Sequence, residues 1–148
     1  MKRSKLIFCT LSLFFPGTGF NCFYLQGFKS FWGWMQLLAI GAGIAGWFLL
    51  AQSHFSSSAG WVLITIGFAS VESGWLTAIV FGLREDQRWD AQFNPSMQKN
   101  KSTKSGWLTI LTVIFSLILG AGVMMTFLAI SFEQFFISQL QEARKLSQ

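Results

Sequence analysis

One acidic residue, Glu72, stands near the middle of a long apolar stretch, Trp61 to Leu83, and it has the clearest potential for chemistry in this chain. A carboxylate at the centre of a bilayer costs roughly 2.5 to 3.5 kcal/mol on insertion scales, so such a group must face protein or water. The candidate neighbours of Glu72 are Ser73, Thr65 on the same helical face, and Gln36. Glu72 could form a proton or cation relay site, or bind a partner's cationic group. The structural alternative is a protonated Glu72 that is hydrogen-bonded inside a helical bundle and fixes its packing.

The other residue types that carry chemistry are sparse. Cys9 and Cys22 have no CxxC spacing, and His54 is the single histidine of the sequence. A metal site or a disulfide framework therefore has too few ligands or thiols. Ser-His-Asp and Cys-His catalysis lack the residues they need, and no glycine-rich phosphate loop follows a strand. The sequence predicts a protein that is not an enzyme and uses no cofactor.

The composition indicates a membrane protein. Hydrophobic residues make up 52% of the 148 residues and charged residues only 11%, against about a quarter charged in soluble domains. Three segments, 31–51, 61–83 and 106–131, exceed the roughly 20 helical residues that cross a bilayer. The basic residues lie at segment ends, not on one surface with stacking aromatics, which argues against nucleic-acid binding. The expected partners are the lipid bilayer and other transmembrane helices.

The N-terminal apolar run is shorter than a span. Residues 6–15 follow three basic residues and end at Pro16-Gly17, where proline and glycine favour a break. Bulky Phe14 and Phe15 stand where a signal peptide would have small residues before its cleavage site, so we expect no cleavage. We predict a re-entrant or interfacial helix over 6–15 and a turn over 16–30. A fourth span remains the alternative.

Charge distribution gives the orientation, because lysine and arginine favour the cytoplasmic side of short loops. With three spans and a cytoplasmic N-terminus, nine of the 11 basic residues lie inside and only Arg144 and Lys145 outside. A fourth span would divide them almost evenly. The polar loop 84–105 is then cytoplasmic, and the loop 52–60, which has no lysine or arginine, lies outside.

Two polar segments complete the predicted organisation. The polar loop 84–105 ends in the stretch 98–104, which is too hydrophilic to bury a core, and we expect a mobile linker there. The tail 132–148 places Phe132, Phe136 and Leu140 on one helical face and predicts an interfacial amphipathic helix with an extracytoplasmic C-terminus. The predicted fold is therefore an all-α integral membrane protein with three spanning helices, a short N-terminal helix and an amphipathic C-terminal helix.

Residues 16–27, Pro-Gly-Thr-Gly-Phe-Asn-Cys-Phe-Tyr-Leu-Gln-Gly, lie between the short apolar run 6–15 and the first predicted span. They resemble the turn motif of the two-transmembrane (TM-two) domain family. That family has Gly-x-x-Gly-x-His/Asp-Arg-Phe-Tyr-x-Gly between two apolar segments. Asn21 and Cys22 stand here in place of the usual His or Asp and Arg. The resemblance covers 5–51, more weakly 61–83, and implies a bacterial multi-span member, with 82–95 resembling a segment of bacterial members. It implies no established biochemical activity. The turn residues that we select are Pro16, Gly17, Gly19, Asn21, Phe23, Tyr24 and Gly27.

Small residues spaced four apart allow helices to approach closely. They could serve packing within the chain or contacts with partner helices, and the sequence leaves both open. We therefore expect a non-enzymatic inner-membrane protein that acts by helix-helix association, as an accessory or assembly subunit of a larger membrane complex. The alternative is a small oligomeric ion or proton transport element centred on Glu72. The candidate packing residues are Gly43, Gly46, Ser70, Gly74, Ala78, Ser116 and Gly120.

Overall fold

The computed structural model describes residues 3–95 and 102–146, and the regular elements within these ranges are helices. Three of them are long and apolar enough to cross a membrane, namely α3, α4 and α6. The prediction of an all-helical chain with three such helices is confirmed. The elements are α1 (Lys5–Phe14), α2 (Phe20–Gln26), a 3-10 turn (Gly27–Lys29), α3 (Phe31–Gln52), α4 (Ser58–Leu83), α5 (Asp86–Phe93) and α6 (Trp107–Leu146).

Helix α4 is the centre of the bundle, since α1, α3 and α6 all pack against it. It runs antiparallel to α3, and the two backbones meet at Gly43 and Gly67. A Cβ added to Gly43 would lie only 2.8 Å from the Gly67 Cα. It also runs antiparallel to α6, where Phe68 stacks on Phe127 with ring centroids 4.0 Å apart. We call the end of the bundle that holds Lys5 and the C-terminus of α4 the Lys5 end, and the opposite end, with loop 53–57, the loop end.

The N-terminal segment forms a helical hairpin, α1–turn–α2, whose tip reaches the middle of α4. Gly17 and Gly19 have φ values of 74° and 78°, which glycine adopts without steric cost. The Ser70 hydroxyl donates to the Gly17 carbonyl at 3.1 Å. The Trp75 indole N–H donates to the Leu13 carbonyl at 3.2 Å. The predicted turn over 16–30 is thus partly helical, because α2 returns the chain toward the Lys5 end.

The segment after α4 is more ordered than the sequence suggested. Residues 86–93 form α5, and the Trp89 side chain is 0% exposed. Its ring packs against Phe8, Phe81 and Phe93, with centroids 4.5 to 6.1 Å from its own. The predicted polar loop 84–105 therefore contains a helix and contributes Trp89 to the core. Residues 96–101, which carry part of the predicted linker, lie outside the described ranges.

Helix α6 has 40 residues and would be about 60 Å long at 1.5 Å per residue, twice the ~30 Å of a hydrocarbon core. The predicted amphipathic tail is the continuation of this helix as far as Leu146, without a break after Ser131. Phe132, Phe136 and Leu140 are about 60% exposed on it. Ser138 lies level with the loop end, so the last turns extend past α4.

Candidate functional site

Glu72 lies near the middle of α4 and faces α6, with only 7% of its surface exposed. It borders a groove of about 220 Å³ between the two helices, whose walls include Trp75, Ser116 and Met124. Gly120 gives the carboxylate room, because a Cβ added there would stand 3.3 Å from Glu72 Oε2. The groove is otherwise mainly apolar. The carboxylate is therefore largely buried at the border of this groove, near the middle of α4.

Two polar atoms at this groove lack a hydrogen-bond partner in the described part of the chain: Glu72 Oε1 and Ser116 Oγ. Ser116 is completely buried. Buried polar atoms in native proteins are almost always hydrogen-bonded, and an unsatisfied one costs about 1 to 3 kcal/mol. The groove thus combines an acceptor and a hydroxyl whose bonding capacity the fold does not use.

The neighbours that the sequence suggested for Glu72 bond elsewhere. Gln36 Nε2 donates to Ser73 Oγ at 3.2 Å, and the Ser73 hydroxyl donates to the Ser70 carbonyl at 2.7 Å. The Thr65 hydroxyl donates to its own helix, at the Trp61 carbonyl. The suggestion of Gln36, Ser73 and Thr65 as partners of Glu72 is wrong. One step along a helix turns a side chain by about 100°, so Ser73 points to α3 while Glu72 points to α6.

The turn motif serves the hairpin, not the Glu72 groove. Pro16 and Gly17 fit against α4, where a Cβ on Gly74 would lie 2.7 Å from the Pro16 Cα. The Ser4 backbone N–H donates to the Tyr24 hydroxyl at 2.8 Å, which ties α2 to the start of α1. The remaining motif residues also make contacts within the chain. Gly19 would clash with Gly33 if it had a Cβ, and Phe23 packs on Phe28 and Trp34. Gly27 has a φ of 71°, and the buried Asn21 accepts a hydrogen bond from the Cys22 N–H through Oδ1.

The small residues are used inside the chain. A Cβ on Gly46 would lie 2.5 Å from the Ile64 backbone nitrogen, and the buried Ala78 carbonyl accepts from Cys9 Sγ at 3.7 Å. Ser70 bonds the hairpin tip, while Ser116 and Gly120 face Glu72. Between the two explanations that the sequence left open, the contacts favour packing within the chain for these residues.

A second polar cluster, at the Lys5 end, has no counterpart in the sequence analysis. The Lys5 side chain is 3% exposed, and Nζ lies 3.0 Å from Asp86 Oδ1. It also donates to the Arg84 carbonyl and, at 2.9 Å, to Ser105 Oγ. The Ser105 backbone N–H donates to Asp86 Oδ2 at 2.7 Å. Asp86 therefore joins the start of α1 to the segment that leads into α6.

Asp90 repeats this arrangement one turn along α5. The Thr103 backbone N–H donates to Asp90 Oδ2 at 2.6 Å, and Asn94 Nδ2 donates to Oδ1 at 2.9 Å. The Asn94 side chain also bonds the Arg3 backbone: Oδ1 accepts from the Arg3 N–H, and Nδ2 donates to the Arg3 carbonyl. Two acids spaced i, i+4 around a tryptophan in a polar segment were the sequence signal for this cluster.

Burial raises the pKa of the Asp86 carboxyl, but hydrogen bonds from Ser105 and the Lys5 charge outweigh it, so the pKa lies below its usual value. The carboxylate is therefore charged at neutral pH and can hold the buried ammonium. Through these contacts Asp86 connects α5 with the start of α1 and with the segment before α6.

In the described ranges, no group of three or more His, Cys, Asp or Glu side chains lies close enough together to hold a metal ion. Cys9 and Cys22 are both free thiols. Comparison with protein-family models, with curated proteins and with solved structures gives no match to this chain.

Proposed function

We propose that this chain is a non-enzymatic multi-pass protein of the bacterial inner membrane that binds a transmembrane helix of another protein, as an accessory or assembly subunit. The observation that carries the proposal is the unpartnered Glu72 Oε1 beside the unpartnered Ser116 Oγ in one groove between α4 and α6. A hydrogen-bond donor on a second helix would remove the cost of leaving Oε1 unsatisfied.

The shape and lining of the groove support a helical partner. Its borders are apolar apart from Glu72 and Ser116, and Gly120 lowers one wall. An apolar helix that carries one donor, such as Lys, Arg or Asn, matches this surface better than a polar ligand does. The small residues on α3 and on the α3 and α1 sides of α4 are already used within the chain, whereas Ser116 and Gly120 line this groove, so we place the partner contact here.

The orientation and the role of the hairpin are part of the same proposal. The charge bias favours a cytoplasmic Lys5 end. The α1–α2 hairpin then enters the membrane from the cytoplasm and returns, with its tip beside Ser70, as a re-entrant element. The TM-two resemblance is consistent with such a hairpin. The loop end and the C-terminal turns of α6 would face the periplasm.

The experiment is affinity purification of the full chain in a gentle detergent, followed by identification of the chains that co-purify. The wild type should retain a membrane protein that the Glu72→Leu variant loses. Glu133→Leu is the matched control, since it also removes one carboxylate but at an exposed position outside the groove. A wild type that purifies only as a monodisperse species without a partner would refute the proposal, as would equal loss in both variants.

A second function is favoured by the same pair of atoms. A carboxylate and a hydroxyl at membrane depth could hold a proton or a small cation in an oligomeric transport element. The test is ion and proton flux in reconstituted vesicles with the wild type and Glu72→Gln. Transport requires a flux that Glu72→Gln abolishes; no flux, or flux unchanged in the variant, excludes it.

A further inference from the structure

A separate pocket lies at the loop end, away from the Glu72 groove. It has a volume of about 440 Å³ and is bounded by loop 53–57, the start of α4 and the last turns of α6. Its lining mixes aromatic rings with polar side chains, among them Phe55, Trp61, Phe135, Gln134, Ser138 and Glu142. This mixture differs from the apolar walls of the groove between α4 and α6.

The aromatic wall on the loop side is held in an unusual backbone conformation. His54 and Phe55 have φ values of 47° and 64°, a left-handed region that bulky residues rarely adopt. The Phe55 backbone N–H donates to the Leu50 carbonyl at 2.9 Å. The Trp61 indole N–H donates to the Phe55 carbonyl at 3.1 Å, and the two ring centroids are 6.4 Å apart. Strained backbone persists where surrounding contacts fix it, often at binding sites.

The rest of the loop is also fixed by its own hydrogen bonds. The Ser56 hydroxyl donates to the Ser53 carbonyl at 2.6 Å, and the Ser57 N–H donates to Ser53 Oγ at 3.2 Å. Ser57 then caps α4 by accepting from the Gly60 N–H at 3.1 Å. The two aromatic side chains are therefore positioned before any ligand arrives, which lowers the entropy cost of binding.

The facing wall comes from one side of α6, where Phe135, Ser138 and Glu142 follow each other at helical spacing. The Ser138 hydroxyl donates to the Phe135 carbonyl at 2.7 Å. Among the residues that line the pocket, Glu142 carries a charge, and none is a lysine or an arginine. The pocket thus carries negative charge, which disfavours an anionic ligand.

A carboxylate next to aromatic faces is the chemistry that binds ammonium groups, because ring faces and carboxylates both attract a cation. One carboxylate is too few for a divalent metal, which takes several oxygen ligands. We propose that this pocket binds the ammonium group of an aminophospholipid headgroup such as phosphatidylethanolamine. Its height favours a lipid, since it lies where α3 ends and α4 begins, and Trp61 stands at the position of an interfacial anchor.

The test measures lipid retained by the full chain in native mass spectrometry, after delipidation and addition of phosphatidylethanolamine or phosphatidylglycerol with identical acyl chains. The wild type should retain phosphatidylethanolamine in preference. Glu142→Gln should lower that retention about three- to tenfold, the range expected for one cation site of this kind. Phe135→Leu should lower it as well, and provides a second measurement if Glu142→Gln folds poorly. Glu133→Gln, one carboxylate removed outside the pocket, should bind as the wild type does.

Soluble ethanolamine, added as a competitor, separates the two possible sources of an ammonium group. Weak competition together with loss in Glu142→Gln supports the lipid headgroup. Strong competition that also depends on Glu142 keeps the ammonium site but overturns the lipid as its source. Equal retention of both phospholipids, or equal behaviour of Glu142→Gln and Glu133→Gln, overturns the site altogether.

Discussion

Replacing Glu72 by leucine should make the isolated protein more stable while abolishing binding of the proposed partner helix. Glu72 Oε1 is buried and has no hydrogen-bond partner in the described chain. Such an atom costs about 1 to 3 kcal/mol, and an apolar side chain of similar volume removes that cost. The adjoining cavity of about 220 Å³ accommodates the leucine branches. We therefore expect the free energy of unfolding to rise by about 1 to 3 kcal/mol.

The assay is equilibrium unfolding of the purified chain in mild detergent, followed by helicity and by tryptophan fluorescence. Glu72→Gln distinguishes the effect of the charge on stability from the effect of a polar group. An amide at this position is still an unsatisfied polar group, so Glu72→Gln should stabilise the protein less than Glu72→Leu. Ser116→Ala removes the second unpartnered atom and should also be neutral or stabilising. Glu133→Leu, at an exposed position, should leave the stability within about 0.5 kcal/mol of the wild type.

A loss of more than about 1 kcal/mol in Glu72→Leu would refute this reasoning. Such a loss would mean that the carboxyl is satisfied inside the bundle and fixes helix packing, which was the structural alternative from the sequence. An increase in stability without loss of the co-purifying protein would confirm that Glu72 Oε1 has no hydrogen-bond partner in the bundle. It would exclude Glu72 from the contact with the proposed partner helix.

Three further predictions concern the packing of the bundle. Asp86→Asn leaves the buried Lys5 charge unpaired and should destabilise by about 3 to 5 kcal/mol in the same unfolding assay, whereas Arg88→Gln, from an exposed ion pair, should cost less than about 1 kcal/mol. Because the pKa of Asp86 is lowered in the folded state, its contribution to stability is complete above the unfolded-state pKa near 3.9. That contribution is lost as the pH falls through the folded-state pKa. The stability of Asp86→Asn, measured over the same acid range, should not show this loss. Gly67→Ala places a Cβ 2.5 Å from the Gly43 Cα and should cost at least 1 to 3 kcal/mol, while Gly41→Ala meets open space and should not.

The long helices could be predicted because their signal is local. An apolar run of more than about 20 residues has few alternatives to a membrane helix. The Pro16-Gly17 pair, which breaks helices, follows directly after the end of α1 at Phe14. The α2 helix was missed because its seven residues, Phe20–Gln26, carry glycine on both sides and too few turns for a periodic pattern.

The direction in which Glu72 points could not be read from the sequence. Its own helix places Ser73 and Thr65 near it, but the choice between α3 and α6 as the facing helix is a property of the assembled bundle. The Lys5–Asp86 pair has the same origin, since 81 residues separate its members. Trp89 in a polar segment was the visible sign that this segment folds back on the core.

The hairpin imposes an order on the biogenesis of the protein. The Gly17 and Leu13 carbonyls at its tip are bonded by Ser70 and Trp75, residues that lie 53 and 62 positions later in the chain. At about 5 to 20 residues per second, several seconds of translation separate the emergence of the tip from that of its binding surface. In the proposed membrane topology, the first 30 residues therefore wait at the membrane surface or beside the insertion machinery until α4 is in place. Truncation before Trp75 should leave them without a stable position in the bilayer.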